Sequence, residues 1–200
     1  MIKTATWNVR GLNKRDHQGA VTALIEEFKL EIIGLLETRV RDRNAFSIQN
    51  NIHRNWQWYS DYNGGPGNRI WVGWNNSKID IDVLEAHNQI VHCKVTVKAT
   101  STRFFHSFVY ASNDMVIRRE LWNILTRLAL TMEDENWIIV GDFNIVMDHS
   151  EIRDGSGDNL EAMEEFYDAI NESQLFTLPM VGLQFSWHNR STGTDVCRNA

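Results

Sequence analysis

The sequence predicts an α/β fold in which two β-sheets pack face to face with helices outside. Three observations point to it. The chain opens strand–helix–strand; residues 56–110 form a series of short β-branched and aromatic segments; and a helix and another strand follow. A strand, a crossover helix and a second strand make the βαβ-like unit from which α/β sheets are built.

Each element has its own justification. "IKTATWNV" (2–9) reads as a short strand and "GLNKRD" (11–16) as a turn. Ala20, Val21, Leu24, Ile25 and Phe28 then recur at helical spacing. "EIIGLLE" (31–37) is a continuous apolar run, suited to a strand covered on both faces. "WQWYS", "RIWVGWN", "KIDIDVL", "IVHCKVTV" and "RFFHSFVY" read as sheet strands, with "NGGPGN" (63–68) the clearest break. "DMVIRRELWNILTRLAL" (114–130) turns helical, with Met115, Ile117, Leu121, Leu125 and Leu128 near one face. The apolar run Trp137 to Val140 in "WIIVGDF" is a buried strand, cut off by Gly141. "SGDNLEAMEEFYDAINESQL" (156–175) is a further helix, capped by Asp158 or Asn159 ahead of an acidic first turn. "LQFSWHN" (183–189) is a last short strand before a polar end. With no repeat, low-complexity tract or linker, residues 1–200 are expected to form one domain.

Composition narrows the function. A chain of 200 residues can bury a substantial core, and 42% hydrophobic with 23% charged residues is ordinary for a globular protein. A formal charge of -6 disfavours passive polyanion binding, which rewards clustered Lys and Arg. Nucleic-acid contact would then need a local basic patch or a bound cation. Two cysteines, Cys93 and Cys197, are too few for a disulfide framework, so a reducing compartment is expected. There is no signal-peptide core and no apolar run of membrane-spanning length, so the chain is read as intracellular, nuclear or cytoplasmic, without a membrane partner.

The strands end in polar residues: Asn8 and Glu37 in the first half, Tyr110 and Asp142 in the second, with Asn144 two residues on. Taken singly, Asn8 and "GDFN" read as turn residues, Glu37 as a solvated acid and Tyr110 as a core ring. Taken together, they are an oxygen and amide set beyond strand carboxyl ends, where α/β sheets gather ligands. No thiolate or zinc-spaced His pair accompanies them. Hard oxygen donors suit Mg²⁺ or Mn²⁺, which complete their shells with water and phosphate oxygens.

"TWNVRGLN", "LLETR", "FVYASN", "GDFN" and "FSWHN", in this order, resemble the endonuclease/exonuclease/phosphatase superfamily, and within it the endonuclease domain of plant LINE-type (non-LTR) retrotransposons. The resemblance runs from about Thr4 to Arg198. It implies a four-layered α/β sandwich with two central mixed sheets and metal-dependent hydrolysis of a phosphodiester, here DNA nicked to prime reverse transcription. By resemblance, Glu37 is the main metal carboxylate with Asn8 beside it, and Asp142 orients or deprotonates the attacking water. Asn144 and Tyr110 donate to the phosphate oxygens. Arg10 replaces a residue that is often acidic in the wider superfamily, and with Asn113, Ser186 and Trp187 it is a candidate substrate contact. Lys14 and Arg39 are plausible phosphate contacts by position.

The family pattern continues into "LDR"-like and "SDH"-like motifs that would follow Ala200. The resemblance therefore implies a fragment lacking the last strands and the catalytic Asp and His, weak or inactive as it stands, from a longer polypeptide with a reverse transcriptase region. His149 and His188 are the internal candidates to replace that His. A monomer is expected. Two other readings stand beside the enzyme. One is a non-catalytic relic or binding module, in which Trp56, Trp58, Trp71 and Trp74 stack on bases, although their spacing fits core positions better. The other is a phosphatase acting on a small phosphoester.

Overall fold

The computed structural model describes residues 1–60, 62, 69–153, 159–179, 181–182, 187–188 and 197–198. Its elements run β1 (Thr4–Asn8), α1 (Arg15–Phe28), β2 (Ile32–Leu36), α2 (Asp42–His53), β3 (Gln57–Tyr59), β4 (Ile70–Trp74), β5 (Ile79–His87), β6 (Ile90–Val97), β7 (Thr102–Tyr110), α3 (Met115–Ala129), β8 (Trp137–Asp142), β9 (Ile152–Arg153), α4 (Leu160–Glu172), β10 (Trp187–His188) and β11 (Cys197–Arg198). They fall into two compact units. One comprises Met1–Tyr110 with Glu135–Asp142, the other Ala111–Asp134 with Phe143–Ala200.

The first unit is the expected α/β sandwich. One sheet has the order β1-β2-β4-β3, the other β5-β6-β7-β8. Both are mixed: β1 and β2 run parallel, as do β7 and β8, and the remaining pairs are antiparallel. All five residues of β2 are buried, as a run of five apolar or small residues requires. Alternate residues of β2 and β4 divide the core in two. Ile33, Leu35 and Trp71 face Val21 and Ile25 of α1 and Ala45, Ile48 and Ile52 of α2. Ile32, Leu36, Ile70, Val72 and Trp74 face Val91, Cys93, Val95 and Phe108 of the second sheet. Burial pushes the Cys93 thiol up to about 12, so it behaves as a small apolar group. Gly34 lets the sheets approach, because a Cβ there would lie 2.3 Å from Phe108 Cδ1.

Two expectations are corrected here. Residues 38–55 carried no assigned element, yet α2 occupies most of them, presenting Ala45, Ile48 and Ile52 inward. β8 is half-buried throughout rather than buried, because among the described residues it is the edge strand of its sheet. The tryptophans settle as core: Trp56, Trp71 and Trp74 are buried, and Trp58 packs edge-on to Trp71 at 6.3 Å between ring centroids. No helix among the described residues is long and apolar enough to cross a membrane.

The second unit centres on α3 and α4. Asp114 caps α3, its carboxylate accepting from the amides of Val116 and Ile117, and Asn159 caps α4 by accepting from Glu161 N. Trp122, Phe143 and Phe166 stack, with Trp122 and Phe166 centroids 5.0 Å apart. The buried face of α3 is Arg118, Leu121, Trp122, Leu125 and Leu128, whereas Ile117, expected inside, is exposed. A three-stranded sheet of order β10-β11-β9 completes the unit. "NGGPGN" and most of "LQFSWHN" lie outside the described residues.

Candidate active site

The polar strand ends of the first unit meet. β1 and β2 are in parallel register with Asn8 opposite Leu36, which places Glu37 one residue beyond. β7 and β8 pair with Tyr110 opposite Asp142. Across the two sheets, Asn8 Nδ2 donates to Asp142 Oδ2 at 2.9 Å. Asn8 Oδ1 meanwhile accepts from the Arg10 amide at 3.2 Å, a role only the oxygen can fill, so the carboxamide is fixed in one orientation. Tyr110 is buried, and its pKa is raised by that burial and by the negative charge of Glu37 and Asp142. The phenol is therefore a donor throughout the neutral range. Both carboxylates lie within electrostatic reach of one hydroxyl.

The backbone holds these groups against strain. Glu37 sits at φ 55, Arg10 at φ 48 and Arg39 at φ 52, a left-handed conformation that costs such residues on the order of 1 kcal/mol each. They are kept there because backbone pairing continues past the strands, on the β1 side and on the β4 side of β2. Gly11 N donates to Glu37 O at 2.9 Å, Leu12 N to Thr38 O at 2.8 Å and Thr38 N to Arg69 O at 3.4 Å. The loop after β1 is tied down further by His17 Nδ1 on Gly11 O and Gln18 Nε2 on Leu12 O. At β8, Gly141 has φ 152, and a Cβ there would lie 1.9 Å from Val109 O, so only glycine fits before Asp142.

Of the residues singled out in the sequence, Asn8, Glu37, Tyr110 and Asp142 are brought together, and Arg10 is exposed beside Asn8. Asn144 and Asn113 belong to the second unit. There Asn144 has φ 51 and its Nδ2 donates to Ala111 O at 2.7 Å, while Asn113 is exposed. Ser186 lies outside the described residues, Trp187 lies on β10, and His149 is exposed. Arg39, expected as a phosphate contact, pairs with the Glu37 carboxylate. Sequence reasoning missed Arg69, whose guanidinium carbon lies 5.7 Å from the Tyr110 ring centroid. Arg69 immediately precedes β4, which runs antiparallel to β2 with Ile70 opposite Leu36, a neighbourhood visible only once the strands are paired.

Among the described residues no group of three His, Cys, Asp or Glu side chains forms a ready metal cage. The donors present, two carboxylates and a carboxamide, nevertheless suit a hard divalent cation that keeps several positions for water and phosphate.

A profile of the Endonuclease/Exonuclease/phosphatase family matches residues 5–198. The chain belongs to this family. No curated protein sequence matches this member of the family. Among solved structures, the endonuclease domain of TRAS1, a telomere-specific non-LTR retrotransposon, is similar with a TM-score of 0.71 and 14% identity, covering 99% of this chain and 82% of that one. The AP endonuclease of Leishmania major gives a TM-score of 0.67 at 15% identity over 86% of this chain and 66% of its own. D. rerio TDP2, complexed with a single-strand DNA product, gives 0.60 at 13% identity over 100% of this chain and 84% of its own. At such identities the likeness shows the fold, the family's α/β sandwich.

Proposed function

We propose that this chain is a divalent-metal-dependent phosphodiesterase domain that nicks DNA. The observation that carries the reading is the Asn8–Asp142 hydrogen bond, with Glu37 and Tyr110 on the adjoining strand ends. The DNA substrate is supported by the resemblance to retrotransposon endonucleases, and by fold neighbours that are named as endonucleases or hold a DNA product.

Glu37 and Asn8 would hold the cation, and family enzymes generally use divalent metals. Bound there, Mg²⁺ or Mn²⁺ supplies Lewis-acid stabilisation of charge on the phosphoryl oxygens. The side chains do the rest. Asp142, with one oxygen held by Asn8, orients water and takes its proton as the water oxygen bonds to phosphorus. The phosphorus–oxygen bond to the leaving oxygen then breaks, and that oxygen takes a proton from solvent. Tyr110, kept protonated by its surroundings, donates to a phosphate oxygen as its charge grows, and Asn144 supplies a second donor. Arg69 brings positive charge to the Tyr110 edge of a site that otherwise carries two carboxylates. Arg39 must leave Glu37 before a cation can use the oxygen it occupies.

The test is relaxation of supercoiled plasmid by this chain across a Mg²⁺ titration, beside Asp142→Ala and Glu37→Gln. Nicking that needs the metal and falls by about 10²-fold or more in both variants supports the reading. Turnover of small phosphoesters without nicking would move the function to a phosphatase. DNA binding that is metal-independent and leaves the strand intact would make it a binding module.

A further inference from the structure

We propose that Arg118 is a positioning residue that locks together the two loops leaving β7 and β8 and thereby sets the placement of Asn144. The assignment deepens the reading above, because it takes Asn144 as a phosphate donor.

Arg118 lies in the first turn of α3 and is 3% exposed. A guanidinium so deeply placed is costly unless its N–H groups are used. Its Nη1 donates to Ser112 O at 3.0 Å and to Asn144 O at 3.0 Å. Ser112 lies in the loop after β7 and Asn144 in the loop after β8, so one nitrogen bridges both. Asn144 Nδ2 closes the same junction by donating to Ala111 O at 2.7 Å. These hydrogen bonds join the two loops.

The anchor is itself fixed. Asp114 caps α3 through two amides, and Arg118 N donates to Asp114 O at 2.9 Å. The left-handed turn at Asn144, φ 51, is a conformation that Asn tolerates better than most residues. Its carbonyl accepts from Arg118, and losing that donor would cost a half-buried backbone acceptor one partner. The carboxamide nitrogen carries two hydrogens, one directed at Ala111. The loop lock determines where the other points. Lysine would serve poorly here. Its ammonium is more strongly hydrated and lacks the planar fork that meets two carbonyls at fixed angles.

Hydrogen exchange on the full chain tests this without requiring activity. Arg118→Lys is compared with wild type, with Arg118→Met as a harsher variant and Asn144→Ala as a control that spares the arginine. The expected result is exchange faster by about tenfold or more in peptides covering 111–113 and 143–146, with β2 and β6 peptides unchanged. In Asn144→Ala, exchange should quicken in 111–113 only slightly, because Arg118 still holds Ser112. A uniform rise over the whole chain, with a matching fall in Tm, would make Arg118 a plain stability residue and overturn the proposal.

Plasmid nicking adds a second arm. Arg118→Lys should lower kcat by about 10- to 100-fold with KM changed less than threefold, since a misplacement of about 1 Å is enough. Added to Asn144→Ala it should cost nothing more, whereas additive losses would refute action through Asn144. Local exchange changes in the Arg118 variants, alongside a wild-type chain that never nicks, would uphold the lock and reject the nuclease reading.

Discussion

Removing the charge-forming ability of one buried histidine should make this protein markedly less sensitive to acid. His106 lies on β7 with no exposed surface, its ring stacked on Phe108 at 4.2 Å and its Nε2 3.1 Å from Thr4 Oγ1. Burial pushes its pKa down from 6.5 to about 4. Between those values the unfolded chain carries a proton at this position that the folded chain does not. Stability is therefore complete above the unfolded pKa and is lost as pH falls towards the folded one. At roughly 1.4 kcal/mol per pH unit, the whole window is worth about 3 kcal/mol, and the step from pH 7 to pH 5 about 2 kcal/mol. Urea unfolding of wild type and His106→Gln at both pH values measures it. Carboxylates acidify both proteins alike, so the difference between them isolates the histidine. Gln retains a polar atom near Thr4 and a similar volume, and its own cost appears equally at either pH. Equal losses in the two proteins would show that the site admits a proton freely and that its burial carries no electrostatic penalty.

Two further perturbations follow from the packing. Gly34→Ala places a Cβ 2.3 Å from Phe108 Cδ1 and 3.0 Å from Thr6 Cγ2, so it should cost about 1–3 kcal/mol, read as a lower urea midpoint at unchanged slope, and Phe108→Leu should restore part of it. Asp114→Ala removes acceptors at 2.9 and 3.2 Å from the first turn of α3 and should lower stability by about 1 kcal/mol, with Asp114→Asn nearly neutral.

The legible parts of this chain were those where one local rule dominated. β2 could be read from an unbroken apolar run, because a strand covered on both faces has no polar face to interrupt the signal. The residues of the site could be read as polar terminations of such runs, and the strand register then brought Asn8, Glu37, Tyr110 and Asp142 to one place. Helix α2 was lost because Ala45, Ile48 and Ile52 are its only buried residues in a stretch rich in Asn and Arg. Their spacing of three and four was nonetheless in the sequence. On α3 the error came from ranking Ile above Arg as a core residue. Ile117 is exposed and Arg118 buried because two loop carbonyls require a donor there, which no helical pattern reveals. Arg69 was illegible for a different reason. Its nearness to Tyr110 depends on pairing β4 with β2 and on packing two sheets, neither of which is a local property.

The bond between Asn8 and Asp142 spans 134 positions of sequence. During synthesis at roughly 5–20 residues per second, the first of these residues leaves the ribosome on the order of ten seconds before the second. Throughout that interval β1, α1, β2 and α2 can assemble, since their contacts are close in sequence, but the carboxylate that would activate water has not yet been made. On the proposed reading, the chain therefore lacks its water-activating carboxylate until β8 has been added.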